Sequence, residues 1–165
     1  MMKVLVTDLI GTPGAHREDE ISIHITAVMD AAKLDGPVNG VVRYDAGVRD
    51  IMASGRLHYL ATATCIRCLV EFEHPGNARF SQLYAEAPPS EDVLPITDPG
   101  WIDIEEPIRD EVLLSLPLSP ICRPDCAGLC STCGTDLNRE PCEGHEDVSS
   151  SPFAILAQLL DPEDL

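Results

Sequence analysis

The sequence predicts an α+β fold, in which an antiparallel β-sheet or small open barrel is joined to a long helix, a Cys-rich segment and a short C-terminal helix. Three observations support this prediction. Apolar and polar residues alternate through much of residues 20–85, a helical pattern occupies residues 103–116, and all seven cysteines follow residue 64. The chain has 165 residues, of which 44% are hydrophobic, so it is large enough to bury a core without further staples.

The strands are predicted from period-two alternation, which places every second side chain on one face of a sheet. Turn signals separate them: Gly36-Pro37 after the first strand and Asp45-Ala46-Gly47 after the second. The sequence His74-Pro75-Gly76-Asn77 predicts an interruption or bulge in the last strand. The predicted strands cover residues 21–29, 38–44, 51–65 and 72–84.

Two helices are predicted after the strands. Asp103 is a candidate N-cap with Glu106 three residues on, an apolar stripe follows, and Pro117 ends the pattern. The second helix begins at Ser151-Pro152, and it is short enough to need the protein body or a partner for stability. Its apolar stripe is a candidate docking surface and consists of Phe153, Leu156 and Leu160.

The domain organisation is predicted from these elements and from composition. Residues 1–86 form a β-rich domain that ends in the first cysteine pair, and residues 87–100 form a Pro-rich acidic loop. Residues 101–165 hold the helix, the Cys-rich module and the C-terminal helix, and we expect them to form one compact unit with the β domain.

The net charge is −17, and it is unevenly distributed. Residues 1–64 hold six basic and eight acidic side chains, whereas residues 65–165 hold five basic and 20 acidic ones. Because non-specific affinity for nucleic acid comes from lysine and arginine, this balance argues against a generic binder of the phosphate backbone.

The start of the chain has one lysine and an apolar run that ends at Asp8, which is too short for a signal peptide. No apolar run approaches the ~18 residues that span a membrane. We therefore expect a cytoplasmic protein with no membrane contact, in a compartment where thiols stay reduced.

The cysteines have the spacing of metal ligands. They occur as two C-x2-C pairs and three further residues, and a C-x2-C turn directs two sulfurs to one ion. With one nearby histidine they supply eight ligands, enough for two tetrahedral zinc ions. The pairing that we predict is Cys65, Cys68, Cys122 and Cys126 for one ion, and Cys130, Cys133, Cys142 and His145 for the other.

Other interpretations of the cysteines stay open. The two C-x2-C pairs can form a single site and leave the other thiols free, so the number of Zn2+ ions is one or two. Buried metal-free cysteines and a redox-active C-x2-C are further alternatives. A site with four protein ligands leaves no position for water, so zinc in such a zinc-ribbon-like segment is structural and not catalytic.

No catalytic residues are predicted. The sequence contains no G-x4-G-K-[ST], G-x-G-x-x-G, H-E-x-x-H or G-x-S-x-G motif. Acidic runs such as Glu18-Asp19-Glu20 are typical of solvated faces. We therefore expect a protein that is not an enzyme and has no small-molecule substrate.

Several stretches, in order along residues 40–160, resemble the YceD family. They read ATCIRCL at residues 63–69, EVLLSLP at 111–117, CRPDCAGLC at 122–130, CGTDLN at 133–138 and SPFAIL at 151–156. The resemblance implies a bacterial or plastid factor needed for accumulation of large-subunit ribosomal RNA. The family often has Cys-x-Cys where this chain has Cys142 followed by Glu143-Gly144-His145, so His145 is a ligand by inference from this sequence. Family members without the second cysteine knuckle imply that the first four cysteines form the more basic site.

The leading hypothesis is a non-enzymatic ribosome-biogenesis factor that supports synthesis, processing or accumulation of large-subunit ribosomal RNA. The acidic part can bind a basic ribosomal protein or a pre-ribosomal particle, or the near-neutral part can contact the RNA directly. The candidate RNA contacts are Arg43, Arg49, Arg56, His58 and Arg67. The alternative is a zinc-ribbon protein–protein adaptor in transcription or another complex.

Overall fold

A computed structural model describes residues 2–88, 90–142 and 144. The residues group into two compact units, Met1–Cys126 and Ala127–Leu165. The domain boundaries predicted at residues 86 and 100 stay predictions. The elements all lie in the first unit: β1 Lys3–Leu5, β2 His16–Met29, β3 Ala32–Ala46, β4 Asp50–Thr64, β5 Glu71–Ala85, β6 Leu94–Pro95, β7 Trp101–Asp103 and α1 Glu105–Ser115.

The first unit is built on an open five-stranded sheet in the order β2-β3-β4-β5-β6. The four long strands are antiparallel neighbours in chain order, and the short β6 pairs in parallel with the end of β5. Alternation along each long strand puts apolar side chains on one face, where they form the core, and polar ones on the other. Helix α1 packs on the apolar face, against β5 and β2.

The strands run through two places where the sequence predicts breaks. Strand β3 includes Gly36-Pro37, and its register against β4 shifts between Lys33 and Val38, which removes the need for an N–H group at Pro37. Strand β5 includes Pro75, which pairs with Leu60 on one side, while β6 joins β5 only at its far end. Each proline therefore lies at a position where no neighbouring strand needs a hydrogen bond from a backbone N–H group, which proline lacks.

The predicted α+β class with a long helix is wrong. The described residues are mostly β, and their one α-helix covers only 11 residues, Glu105–Ser115. Asp103 lies before the helix, and its carboxylate accepts a 3.1 Å hydrogen bond from the Glu105 N–H. The helix ends because Leu116, which precedes Pro117, is extended. The predicted short C-terminal helix, with its docking residues, lies outside the described residues.

Two tyrosine hydroxyls fasten the helical side of the unit to the sheet. The Tyr59 hydroxyl on β4 lies 2.7 Å from Ser115 Oγ at the end of α1. The Tyr84 hydroxyl on β5 donates a 2.7 Å hydrogen bond to the carbonyl oxygen of Asp103, which precedes the helix. These bonds hold α1 on the apolar face, so the segment that follows it starts beside the sheet.

Candidate metal centres

Four cysteines of the first unit converge at one end of the sheet. Cys65 and Cys68 lie in the turn that follows β4, while Cys122 and Cys126 come after α1. Their four sulfur atoms all lie within 4.8 Å of one another. Cys65, Cys68 and Cys126 are buried and Cys122 is half-buried, with Phe72 packed against them. The fold therefore brings together thiols that are more than 50 residues apart in the chain.

The sulfur positions fit a tetrahedral metal ion. Cys65 Sγ lies 3.9 Å from Cys126 Sγ, and Cys68 Sγ lies 3.7 Å from Cys122 Sγ. Four thiolates at about 2.3 Å from a zinc ion are separated by about 3.8 Å along each edge of the tetrahedron. Disulfide bonds have sulfur separations of ~2 Å, and the cysteines that the structure describes form no disulfide bond. This group could hold one metal ion.

A second set of three thiols lies within the unit Ala127–Leu165. Cys130, Cys133 and Cys142 have their sulfurs within 4.8 Å, and Cys142 Sγ is 3.7 Å from each of the other two. This set could hold a second ion with one further ligand. The predicted fourth ligand, His145, lies outside the described residues.

The two C-x2-C turns have the same backbone hydrogen bonds. In the first, Leu69 N–H donates to the Cys65 carbonyl at 2.9 Å, and Cys65 N–H donates to Val70. In the second, Gly134 N–H donates to the Cys130 carbonyl at 2.9 Å, and Cys130 N–H donates to the residue after Gly134. Leu69 and Gly134 both have a left-handed backbone, with φ of 59° and 76°. The first turn therefore holds a leucine where the second has the glycine that this conformation favours.

These turns direct backbone N–H groups at the leading sulfur of each pair. Burial raises the pKa of Cys65, but hydrogen bonds from the N–H groups of Cys122, Cys68 and Arg67 outweigh it and bring the pKa to about 6. Burial raises the pKa of Cys122 to about 12. Without a cation, only part of a four-thiol group ionises, because adjacent thiolates repel. A divalent ion at the centre offsets this repulsion.

In the second turn, too, the pKa of the first cysteine is lowered. Hydrogen bonds from the backbone N–H groups of Cys133 and Thr132 lower the pKa of Cys130 to about 6. The surrounding loop is held by Asn138, whose side-chain oxygen accepts a 2.9 Å bond from the Ala127 N–H and whose amide donates to Asp136 at 2.8 Å. Polar side chains therefore organise the described part of this module, none of whose residues belongs to the hydrophobic core.

The residues predicted to contact RNA occupy different environments, and their RNA role stays a prediction. Arg43 on β3 is ion-paired with Asp45 at 2.8 Å, and Arg67 hydrogen-bonds within the first cysteine group. Arg49 lies in the turn between β3 and β4. Only two of the five are neighbours on one strand face, and these are Arg56 and His58 on β4.

One arginine beside them was missed in the sequence. Arg79 on β5 lies directly opposite Arg56, and Asn77 lies opposite His58. The interruption predicted at residues 74–77 breaks the alternation, so the sequence does not indicate the sheet face on which residue 79 lies. Arg79 is placed beside Arg56 by the register of β5 against β4, and that register depends on β5 running without a break.

Comparison with known proteins identifies the family. The family model described as large ribosomal RNA subunit accumulation protein YceD matches residues 53–160. The chain belongs to the YceD family. Both sets of cysteines lie inside the matched region, as does the pair Arg56 and Arg79.

Relatives of this YceD-family chain occur in mycobacteria and plants. Uncharacterized proteins of Mycobacterium bovis and Mycobacterium tuberculosis are 32% identical over 155 residues, which cover 90% of this chain and 72% of theirs. A chloroplastic protein of Arabidopsis thaliana, named large ribosomal RNA subunit accumulation protein YCED homolog 1, is 43% identical over 58 residues. That match covers 35% of this chain and 18% of the plant protein. No solved structure is significantly similar.

Within the described part of the chain, no helix is long and apolar enough to cross a membrane.

Proposed function

We propose that this protein is a non-enzymatic factor that supports the accumulation of large-subunit ribosomal RNA, with structural zinc holding its fold. The observation that carries the proposal is the convergence of four cysteine sulfurs inside the region matched by the YceD family model. The plant relatives, named as large ribosomal RNA subunit accumulation proteins, support the same assignment.

The proposed zinc ligands of the first ion are Cys65, Cys68, Cys122 and Cys126. This site would join the end of β4 to the segment after α1, and its four protein ligands leave no position for a substrate or water. The proposed ligands of the second ion are Cys130, Cys133, Cys142 and His145. Zinc in these sites supplies folding free energy and no chemistry.

The proposed partner is a pre-ribosomal particle of the large subunit. Residues 65–165 carry 20 acidic and five basic side chains, so this part of the chain complements a basic ribosomal protein. A basic ribosomal protein held in this way remains bound to the chain after ribonuclease treatment and dissociates as the salt concentration rises.

Depletion of the protein followed by sucrose-gradient analysis tests the proposal. We expect the ratio of large-subunit to small-subunit ribosomal RNA to fall, and the wild-type chain to restore it. Cys68→Ser should fail to restore it, whereas Ser119→Ala, an exposed substitution in the same unit, should succeed. Normal large subunits after depletion would refute the proposal and favour an adaptor that acts in another complex.

A further inference from the structure

The exposed face of the sheet carries a patch without carboxylates in a protein that has 28 acidic residues. Three consecutive outward positions on each of β3, β4 and β5 lie opposite one another and form a grid. The face is solvent-exposed because α1 packs on the apolar side of the sheet. The nine residues of this grid are Asn39, Val41, Arg43, Ser54, Arg56, His58, Asn77, Arg79 and Ser81.

Two arginines face each other at its centre. Arg56 and Arg79 are direct cross-strand partners, and both are exposed. Like charges directly opposite each other on neighbouring strands destabilise a sheet. Among the residues that the structure describes, neither guanidinium has a carboxylate partner within 4.0 Å. Folding therefore places two uncompensated positive charges side by side, in a chain with many carboxylates available.

The acidic residues next to the grid either form ion pairs with Arg43 or lie at the β2 edge of the grid. Arg43 is paired with Asp45 at 2.8 Å and with Glu18 at 3.5 Å, and Glu20 lies on β2 opposite Val41. The uncompensated positive charge is thus concentrated on β4 and β5. A groove beside this pair is lined by Ser54, Arg56 and Arg79 and, towards β2, by the ion pair of Arg43 and Glu18.

We propose that this face binds the sugar–phosphate backbone of RNA, with Arg56 and Arg79 on phosphates. The inference rests on the proposed function, and it adds a direct RNA contact to it. Guanidinium groups match phosphate oxygens, and the serine and asparagine side chains of the grid are common donors to phosphate and sugar.

The side chains around the arginine pair favour RNA over an acidic protein. Asn39, Asn77 and His58 each offer both a donor and an acceptor, which suits the ribose 2′-hydroxyl because that group donates and accepts. A carboxylate-rich peptide would need donors alone. The protein's overall negative charge repels RNA elsewhere, so contact is confined to this face.

Fluorescence anisotropy with a labelled single-stranded oligouridine tests the inference. The variant is Arg56→Gln with Arg79→Gln, and the control is Lys3→Gln with Arg109→Gln, which removes the same charge from the same unit away from the grid. Loss of two phosphate contacts should reduce the slope of log affinity against log salt by about 1.4. We expect the variant and the wild type to have equal affinities at about 1 M salt, where phosphate contacts contribute little. At about 0.1 M salt, one decade lower, a slope difference of about 1.4 makes the affinity of the variant about 25-fold lower than that of the wild type. The control should bind RNA like the wild type.

The same variants separate failure of this inference from failure of the proposed function. In depleted cells, the Arg56/Arg79 variant should fold, keep its zinc and yet fail to restore large-subunit ribosomal RNA. Three outcomes would overturn the RNA contact and leave the proposed function standing. They are full restoration of large-subunit ribosomal RNA by the Arg56/Arg79 variant, an equal loss of RNA affinity in the control variant, and displacement of the bound oligouridine by polyglutamate at equal charge concentration. Unchanged ribosomal RNA on depletion would instead overturn the proposed function.

Discussion

The guanidinium of Arg67 donates a hydrogen bond of 2.9 Å to the backbone carbonyl oxygen of Cys126. The two residues are 59 positions apart, so this bond crosses between the first C-x2-C turn and the segment after α1. It positions the backbone of Cys126 while Cys126 Sγ lies 3.9 Å from Cys65 Sγ. Arg67 is therefore a positioning residue for the first cysteine group.

We expect Arg67→Met to weaken metal retention without removing a ligand. Partners outside the ligand shell change metal affinity by roughly 10-fold or more when they are lost. Competition with a chromophoric chelator measures this effect, and Arg109→Met, which breaks one exposed ion pair on α1, is the control. Equal zinc affinity in the Arg67 variant and the wild type would show that the bond has no role in the site.

The two cysteine groups should make separable contributions to stability. Cys68→Ser removes a proposed zinc ligand from the group that lies between β4 and the segment after α1, so we expect the sheet to melt at a temperature lower by roughly 5–10 °C. Cys133→Ser affects only the unit that begins at Ala127, so the melting of the sheet should not change. Native mass spectrometry should find one zinc fewer in each variant, and calorimetry measures the melting. The same loss of sheet stability in both variants would contradict this separation.

Tyr44 and Tyr84 form a matched pair of core tyrosines with opposite expectations. Both side chains are fully buried, but the Tyr84 hydroxyl donates to Asp103, whereas the Tyr44 hydroxyl has no hydrogen-bond partner among the described residues. Tyr84→Phe should lower the free energy of unfolding by about 1–2 kcal/mol, because it removes a hydrogen bond to the half-buried Asp103 carbonyl. Tyr44→Phe should lower it by less than about 0.5 kcal/mol or raise it. Urea unfolding measures both, and equal losses would contradict the assignment.

Gly76 should tolerate no side chain, although it lies within a regular strand. A Cβ atom there would lie 2.2 Å from ring carbons of Tyr59, which is buried and bonded to Ser115. We expect Gly76→Ala to lower the free energy of unfolding by about 1–3 kcal/mol, since the ring must move.

The matched control for this prediction is Gly36→Ala in β3, where a Cβ atom meets nothing within 4 Å. This change should shift the free energy of unfolding by less than about 0.5 kcal/mol. If chemical denaturation gave the two alanine variants the same stability, the contact between Gly76 and Tyr59 would not limit this position.

Local patterns predicted the features that depend on near neighbours in the chain. Alternation placed residues 21, 23 and 25 on the buried face of one strand, and helical spacing placed Ile108 and Val112 on the buried stripe of α1. The fold class was wrong because the described helix has only 11 residues and the strands are longer than predicted. Proline and glycine suggested breaks in strands that continue through them. At Pro75 no strand lies on the outer side of β5 to need the N–H group that proline lacks. At Gly76 the ring of Tyr59 occupies the space that a side chain would take.

The family, the charge asymmetry and the two cysteine turns could be predicted from the sequence, because each of these is carried by residue identity at short spacing. The tertiary structure was needed to choose between the cysteine groupings that the sequence left open, by bringing Cys65 and Cys68 to Cys122 and Cys126 as the preferred pairing expects. It was also needed to show that Arg56 faces Arg79. Both relationships join residues from distant parts of the chain. They depend on strand register and on the position of α1 against the sheet, which packing of the whole core determines and no local pattern encodes.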